Sequence, residues 1–297
     1  MRLSETIHAG NFAKIVELFP PGLPSPESLK ETQRFDLTLR FERLVESVTE
    51  LEALADAFSL PELKDGIRIH LNTVAVASEL KRRTGSDIIP TVTLRDANKQ
   101  SILGMISYAI FAGLENLQIV RGDPYFDDST VPKNVYDISK VSRLVTLVRK
   151  IESHSTNSDR MCILAPINMM ILNDQKYLKT VRDRQASGVD IFVTESLFER
   201  IDKYLDRVVK LRKNGVKIPL IHNVFAFRDY EDAIACKQKF GWLISDEELH
   251  GLKTRGPRFG LEAAKKRYYD LLDRRDIIEG VCISTRGNPE LVRQITS

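Results

Sequence analysis

Apolar runs of strand length alternate with amphipathic runs of helix length along nearly the whole sequence. This alternation is typical of a parallel α/β fold, in which each strand is followed by a helix that covers the sheet. Apolar stripes at helical spacing lie between the strands, as in Leu261, Ala264, Tyr268 and Leu271. The apolar runs predict eight strands, at residues 13–19, 53–58, 88–94, 117–120, 161–165, 191–194, 218–224 and 280–284.

Eight strand–helix units in 297 residues come to roughly 30–40 residues per unit. That spacing is expected of a (β/α)8 barrel, whereas a doubly wound sheet more often stops at five or six strands. No low-complexity tract, internal repeat or Ser/Gly-rich linker divides the sequence. We therefore predict an α/β protein that forms a single (β/α)8 TIM barrel, with one catalytic domain spanning residues 1–297.

The composition excludes several classes of protein. Hydrophobic residues make up 42% and charged residues 29%, which disfavours disordered, collagen-like and disulfide-stapled classes. The 44 basic and 41 acidic residues leave a net charge of only +3, which is too small to mark a dedicated nucleic-acid binder. We therefore expect no nucleic-acid partner.

Three features predict a cytoplasmic protein without a membrane partner. The longest apolar stretch, residues 102–114, is too short for a transmembrane helix and predicts a buried helix. The first residues lack the apolar core of a secretory signal. The three cysteines, Cys162, Cys236 and Cys282, are odd in number and far apart, so no disulfide framework is predicted.

Polar residues at the ends of apolar strands are the candidate site residues, because barrel enzymes place their active sites at the carboxyl ends of the strands. Glu17 is an acid within the first apolar strand, where burial would raise its pKa and suit it to general acid catalysis. The alternative is a structural ion pair with a barrel Arg or Lys. The sequence leaves both interpretations open.

The fourth strand ends in a short polar turn. Arg121 and Asp123 flank Gly122, which allows the backbone to turn sharply or to approach a ligand. An arginine and an aspartate in this position suit an anionic cofactor and a hydrogen-bonding heterocycle. The same residues also form an ordinary turn.

The sixth and seventh predicted strands add Glu195 and His222 to the candidates. His222 is a possible base, but a histidine in an apolar strand is more often a buried core residue. The other four histidines show no metal-ligand spacing, so we predict no protein-bound catalytic metal. The sequence also lacks the glycine-rich dinucleotide fingerprint, the phosphate loop and the nucleophile elbow.

Five segments are informative together. They are residues 16–21 in the first strand, 93–98 after the third, 121–124 after the fourth, 186–195 in the sixth and 280–285 in the last. In order and spacing they resemble the methylenetetrahydrofolate reductase family. The resemblance implies a (β/α)8 barrel that binds FAD and uses NAD(P)H to reduce 5,10-methylenetetrahydrofolate, or a related pterin, to the 5-methyl form. This reaction belongs to one-carbon metabolism and methionine biosynthesis.

The resemblance also implies roles for individual residues. Glu17 matches the family's general acid, which assists opening of the folate imidazolidine ring. Asp123 matches an aspartate between the flavin and the pterin, so it is assigned to catalysis, to the cofactor and to the substrate. Arg121 matches an arginine that helps to hold the cofactor. Arg182 falls where the family usually has a lysine that contacts a phosphate.

Four positions depart from the family pattern. Thr91 replaces a histidine near the flavin, and Ala165 lies in a fifth-strand segment that lacks the family's flavin-cradling Tyr-Pro-Glu-x-His run. Both are assigned to cofactor binding. Glu195 replaces a glutamine that touches the pterin in many members, and His222 stands where proline is usual. Both are assigned to substrate binding.

Two alternative functions stay open. One is a flavin-free, tetrahydrofolate-dependent methyltransferase or demethylase on the same barrel. The other is a non-catalytic partner subunit, against which the acids Glu17 and Asp123 argue, since a scaffold does not need two acids at a predicted mouth. We expect a folate or related pterin as substrate, NAD(P)H as electron donor, and assembly into a homo-oligomer.

Overall fold

The computed structural model describes residues 3–24, 36–62, 68–122, 138–155, 160–196, 198 and 201–297. The strands within these residues are β1 Ala13–Glu17, β2 Gly22–Pro24, β3 Ala57–Leu60, β4 Arg68–His70, β5 Ile88–Thr93, β6 Asn116–Val120, β7 Cys162–Ile167, β8 Ile191–Ser196, β9 Leu220–Phe225 and β10 Gly280–Ser284. All except β2 and β4 form a closed barrel of parallel strands, in which β10 pairs with β1. The predicted α/β fold, a (β/α)8 TIM barrel, is confirmed.

Helices surround this barrel. Those in the described residues are α1 Leu3–His8, α2 Leu37–Leu51, α3 Thr73–Thr84, α4 Lys99–Phe111, α5 Val141–Glu152, α6 Gln175–Ala186, α7 Ile201–Lys213, α8 Tyr230–Phe240, α9 Asp246–Arg255, α10 Pro257–Leu272 and α11 Pro289–Thr296. A short 3-10 helix, Met169–Ile171, follows β7. The β2 and β4 strands form a separate antiparallel pair.

The barrel wall has an apolar layer on each side. Outward-facing strand residues such as Val92 and Phe192 belong to a large core cluster that includes residues of the surrounding helices. Inward-facing residues such as Ile89 form a second cluster inside the barrel. Leu3 and Ile7 of α1 belong to this inner cluster and close its amino-terminal side. A ligand therefore has to approach from the carboxyl end of the strands.

The second barrel strand begins later than the sequence predicts. The prediction is residues 53–58, but β3 starts at Ala57 because the preceding residues form the turn after α2. The Leu54 N–H donates to the Leu51 carbonyl at 2.9 Å, and the Asp56 carboxylate accepts the Lys14 N–H at 2.7 Å. An apolar residue in a turn imitates the start of a strand, so the pattern alone misplaces the boundary.

The predicted buried helix at residues 102–114 is α4, and one of its faces is buried. Ile102, Ile106 and Ala109 are covered by the core, whereas Phe111 is 86% exposed. Among the helices of the described residues, none combines the length and the apolarity needed to cross a bilayer.

The long segment between β9 and β10 contains three helices instead of the one that the sequence predicts. The predicted helix is α10, which approaches the chain just after β9 very closely. A Cβ added at Gly260 of α10 would lie 2.0 Å from the carbonyl oxygen of Phe227. Phe227 belongs to an aromatic cluster with Phe198 and Trp242, under α8 and α9. Glycine at position 260 therefore permits the packing of α10 beside this cluster.

Candidate active site

Polar side chains replace apolar ones toward the carboxyl end of the barrel interior. Side chains alternate along a strand, so the positions that continue the inner apolar cluster can be followed to the mouth. The polar inward positions are Glu17, Ser59, Thr91, Thr93, Gln118, Glu195, Asn223 and Ser284. Two buried oxygens, Thr93 Oγ1 and Asn223 Oδ1, have no hydrogen-bond partner among the described residues. Because buried polar groups are normally satisfied, the mouth is suited to a hydrogen-bonding ligand.

Glu17 ends β1 at this mouth. Its register partners on the neighbouring strands are Ser284 of β10 and Ser59 of β3. The Ser284 hydroxyl donates a hydrogen bond to Oε1 of Glu17. Burial raises the pKa of the Glu17 carboxyl, while this hydrogen bond and the positive charge of Arg286 act to lower it. The structure thus places Glu17 where the sequence predicts a general acid, with a serine hydroxyl as its hydrogen-bond partner.

Two of the expected cofactor residues also lie at the mouth. Gly122 has a φ of +89°, and a Cβ there would lie 3.0 Å from the Cβ of Arg95, so glycine allows this turn to lie against the end of β5. The Arg121 carbonyl accepts the Arg95 N–H at 3.1 Å, and the Arg121 side chain is exposed. Thr91 of β5 is buried in the polar layer. Asp123 lies outside the described residues.

The structure does not bring Ala165 and Arg182 to the mouth. Ala165 of β7 belongs to the outer core, because the adjacent Leu164 faces the interior and side chains alternate along the strand. Arg182 is exposed on α6, whose buried face is formed by Leu178 and Val181. A sequence match gives the position of a residue along the chain but not the direction of its side chain. Here the alternation of β7 and the helical repeat of α6 direct the side chains of Ala165 and Arg182 away from the barrel interior.

His222 lies behind the barrel wall, between β9 and α7, and is fully buried. Its Nδ1 is hydrogen-bonded to the Tyr204 hydroxyl. That hydroxyl donates its hydrogen to Thr194 Oγ1 at 2.8 Å, which leaves Nδ1 of His222 as the donor. Burial lowers the pKa of His222 to about 3, so the ring is neutral at physiological pH. This placement fits the core-histidine interpretation and does not fit a ligand of the substrate.

We expect His222→Gln to change acid stability and to leave ligand binding at the mouth unchanged. The ordinary pKa of 6.5 lies above the folded value of about 3, so the unfolded chain takes up more protons and the free energy of unfolding falls as the pH drops through this range. The variant lacks this titration. Urea unfolding at about pH 7 and about pH 4.5 should therefore show a smaller difference in the variant. An equal difference in both proteins would contradict the buried, neutral histidine.

Glu195 holds the loop that follows β7. Its Oε2 accepts the backbone N–H of Met169 at 2.9 Å, and its Oε1 accepts the N–H of Met170 at 3.1 Å. Burial raises the pKa of Glu195, and these two hydrogen bonds act to lower it. Since both oxygens are engaged by the backbone, the carboxylate supports the rim of the mouth, and a contact with a substrate would use its remaining lone pairs.

Ser284, Arg286 and Asp232 were not among the predicted site residues. Arg286 follows β10, its Nη2 is bonded to Asp232 of α8, and its guanidinium lies 5.3 Å from the ring centroid of Phe225. The rule that selected Arg121, a polar residue just after an apolar strand, also applies to Ser284 and Arg286. Asp232 offered no such signal, because its partner is distant in the sequence.

Comparison with solved structures confirms the architecture. The crystal structure of 2,3-dimethylmalate lyase, a member of the PEP mutase/isocitrate lyase superfamily, is 10% identical and aligns over 95% of this chain and 81% of its own, with a TM-score of 0.51. Phosphonopyruvate hydrolase, in complex with oxalate and Mg²⁺, is 10% identical over 99% of this chain and 83% of its own, with a TM-score of 0.53. At this identity the likeness shows the barrel fold alone.

Comparison with protein families is more specific. No curated protein matches the sequence. The model of the methylenetetrahydrofolate reductase family matches residues 38–247, which is more than half of the chain and runs from α2 to the start of α9. The match does not include β1 or β10, and therefore leaves Glu17 and Ser284 to be judged from the structure. Because the match and the closed barrel agree, this chain belongs to the methylenetetrahydrofolate reductase family.

Proposed function

We propose that this protein reduces 5,10-methylenetetrahydrofolate, or a related pterin, to the 5-methyl form, with FAD as cofactor and NAD(P)H as electron donor. The observation that carries the proposal is Glu17, an acid at the mouth of a barrel of this family, with a pKa that burial raises. General acid catalysis is most effective when the acid keeps its proton close to the working pH. Opening of the folate imidazolidine ring requires such an acid.

In the proposed reaction, Glu17 gives its proton to a ring nitrogen of the substrate. The carbon–nitrogen bond breaks, its electron pair stays on that nitrogen, and the one-carbon unit becomes electron-poor and ready to accept hydride. The Ser284 hydroxyl donates to Oε1 of Glu17, which leaves Oε2 to carry the proton. The chain therefore supplies an oriented proton at the open end of the barrel.

The mouth also fits a flat heterocycle such as the flavin. The unpartnered Thr93 hydroxyl can donate to a ring nitrogen or a carbonyl group, and the unpartnered Asn223 Oδ1 can accept from a ring N–H group. Thr91 and Arg121 lie at this mouth and are the residues that would hold FAD, together with Asp123, which follows Gly122 in the sequence. Bound FAD would supply hydride to the one-carbon unit of the substrate.

One observation favours a second function, which is flavin-free methyl transfer to or from tetrahydrofolate. The side chains of Ala165 and Arg182 are turned away from the mouth, so two of the contacts that the family resemblance implies for FAD are not built there. A folate would bind at the same mouth in both functions. The cofactor is what distinguishes them.

The visible spectrum of the purified protein separates these functions. Flavin absorption that persists through gel filtration supports the reductase. A colourless protein that binds tetrahydrofolate in calorimetry supports methyl transfer. Binding of neither FAD nor tetrahydrofolate would refute the proposed function and would favour the non-catalytic subunit.

Two arginine variants test the location of the flavin. We expect Arg121→Ala to raise the Kd for FAD roughly tenfold or more, because it removes a hydrogen-bonding cation from the mouth. Arg182→Ala is the matched control, since this arginine is exposed on α6 and we expect its Kd to stay near that of the wild type. Fluorescence titration of FAD measures both. A larger effect of Arg182→Ala would place the cofactor elsewhere.

A further inference from the structure

The turn after β10 joins Glu17 to an ion pair between the partly exposed Arg286 and the buried Asp232. Ser284, the last residue of β10, lies opposite Glu17 in the strand register and donates to its Oε1. Two residues later, Arg286 has a φ of +55°, a left-handed conformation that is uncommon for residues with a side chain. Costly backbone conformations persist where the surrounding contacts demand them.

Arg286 is held from two sides. Its Nη2 is bonded to Asp232 of α8, and its guanidinium lies over the ring of Phe225. The Asp232 side chain is 3% exposed and also accepts the backbone N–H of Arg228 at 3.2 Å. A buried carboxylate with several donors is a firm anchor for a guanidinium. The positive charge of Arg286 is thereby fixed near the mouth.

On the two strands that pair with β1, the other described side chains next to Glu17 are uncharged. Cys282, the preceding inward residue of β10, is the nearest thiol, and burial raises its pKa so far that it stays neutral. On the opposite side, β3 presents Ser59. Among the described residues, Arg286 is the cation whose charge acts on the Glu17 carboxyl. Within the part of the chain that the structure describes, the positive charge that acts on this acid therefore comes from the turn after β10.

We propose that Ser284 and Arg286 are positioning residues for Glu17, and that they let this buried acid give up its proton and take it back. The proposal rests on the role of Glu17 as the acid of the proposed function. Once the proton has moved to the substrate nitrogen, a carboxylate remains in a poorly solvated place, which is unfavourable without a partner. The Ser284 hydroxyl and the charge of Arg286 stabilise that anion until a proton from solvent restores the acid.

The test is a direct titration of Glu17 in the ligand-free protein. Carboxyl ¹³C resonances of glutamate-labelled protein are followed against pH, and the Glu17→Gln spectrum identifies the signal. We expect Ser284→Ala to move the midpoint upward by about one pH unit, as for the loss of one hydrogen bond to a charged group. Ser284→Thr keeps the hydroxyl and should titrate near the wild type, which a merely structural role of the serine does not predict.

The role of Arg286 is tested with a double substitution that also changes its partner Asp232. Arg286→Gln alone leaves the buried Asp232 carboxylate with only the exposed side chain of Arg228 as its ionic partner, which is destabilising, so the variant is combined with Asp232→Asn. We expect this double variant to keep the fold, as judged by circular dichroism, and to move the Glu17 midpoint upward as well. An unchanged midpoint in folded Ser284→Ala and in the folded double variant overturns the inference.

The titration uses neither folate nor flavin, so it separates the inference from the proposed function. If the midpoint moves but the wild type does not reduce methylenetetrahydrofolate, the positioning holds and the assigned reaction fails. If the wild type reduces the substrate but no variant moves the midpoint, the reaction holds and the positioning fails. If both proposals hold, the rate of Ser284→Ala should also begin to fall at a higher pH than the rate of the wild type, because Glu17 keeps its proton to a higher pH.

Discussion

Glu17→Gln is expected to lower the rate of folate reduction by about 10²–10⁴-fold, the usual contribution of a general acid. Glutamine has nearly the same size and accepts the hydrogen bond of Ser284, but it has no proton to give at neutral pH. FAD and folate should bind as before. Steady-state rates and binding titrations measure these effects, with Ser59→Ala as a control at the uncharged register partner on β3. A loss below about tenfold would remove Glu17 from the chemistry.

The same substitution is expected to increase stability at neutral pH. The folded-state pKa of Glu17 is raised, so the folded protein retains a proton that the unfolded chain has released, and the free energy of unfolding falls as the pH rises from the ordinary value of 4.5 through the folded value. Glutamine does not titrate. Thermal unfolding should therefore show a higher Tm for the variant at about pH 7 and a smaller difference at about pH 4. Gain in stability with loss of activity is a mark of a functional residue.

Gly260→Ala is expected to destabilise the fold by roughly 1–3 kcal/mol or more, because the new methyl group would collide with a backbone carbonyl. The added Cβ would lie 2.0 Å from the oxygen of Phe227, and backbone cannot rotate away as a side chain does. Helix α10 would have to shift from β9, which would disturb the aromatic cluster beside the mouth. Urea unfolding measures the loss.

Gly104→Ala is the matched control for that experiment. Gly104 also lies inside a helix, α4, but apart from its sequence neighbours and the nearby backbone of that helix, no atom of the described residues lies within 4 Å of the Cβ it would gain. Alanine is favoured over glycine in a helix interior, so this variant should be more stable by about 0.5–1 kcal/mol. Equal effects at the two positions would show that helix propensity, and not the contact with Phe227, decides the outcome.

The barrel architecture could be predicted because the local periodicity of apolar residues indicates its strands and helices. Each barrel strand is a short apolar run and each covering helix carries an apolar stripe, so both can be recognised without knowledge of distant contacts. One exception is the start of β3, where Leu54 and Asp56 form a turn whose contacts with Leu51 and Lys14 are not visible in the pattern. Boundaries depend on such contacts more than the elements do.

The site was predicted less completely, because a strand position does not give the direction of a side chain. Glu17 and Arg121 were identified from their places at strand ends, and the structure brings both to the mouth. His222 also lies in a predicted strand, but the alternation of β9 turns it toward α7, where it meets Tyr204. Ser284 was missed because its importance depends on its pairing with β1, a long-range contact that no local pattern contains.

The pairing of β1 with β10 also bears on the order of events during synthesis. Glu17 and the hydroxyl that orients it are separated by 267 positions. The chain is synthesised from its amino terminus, so β1 lacks its final neighbour, β10, for most of translation and its edge on that side stays unpaired. Glu17 acquires Ser284 as its hydrogen-bond partner when β10 pairs with β1, and the same pairing removes the open edge of β1. An unfinished chain therefore contains Glu17 without the Ser284 hydroxyl that orients it. Activity should appear only when β10 pairs with β1 and closes the barrel.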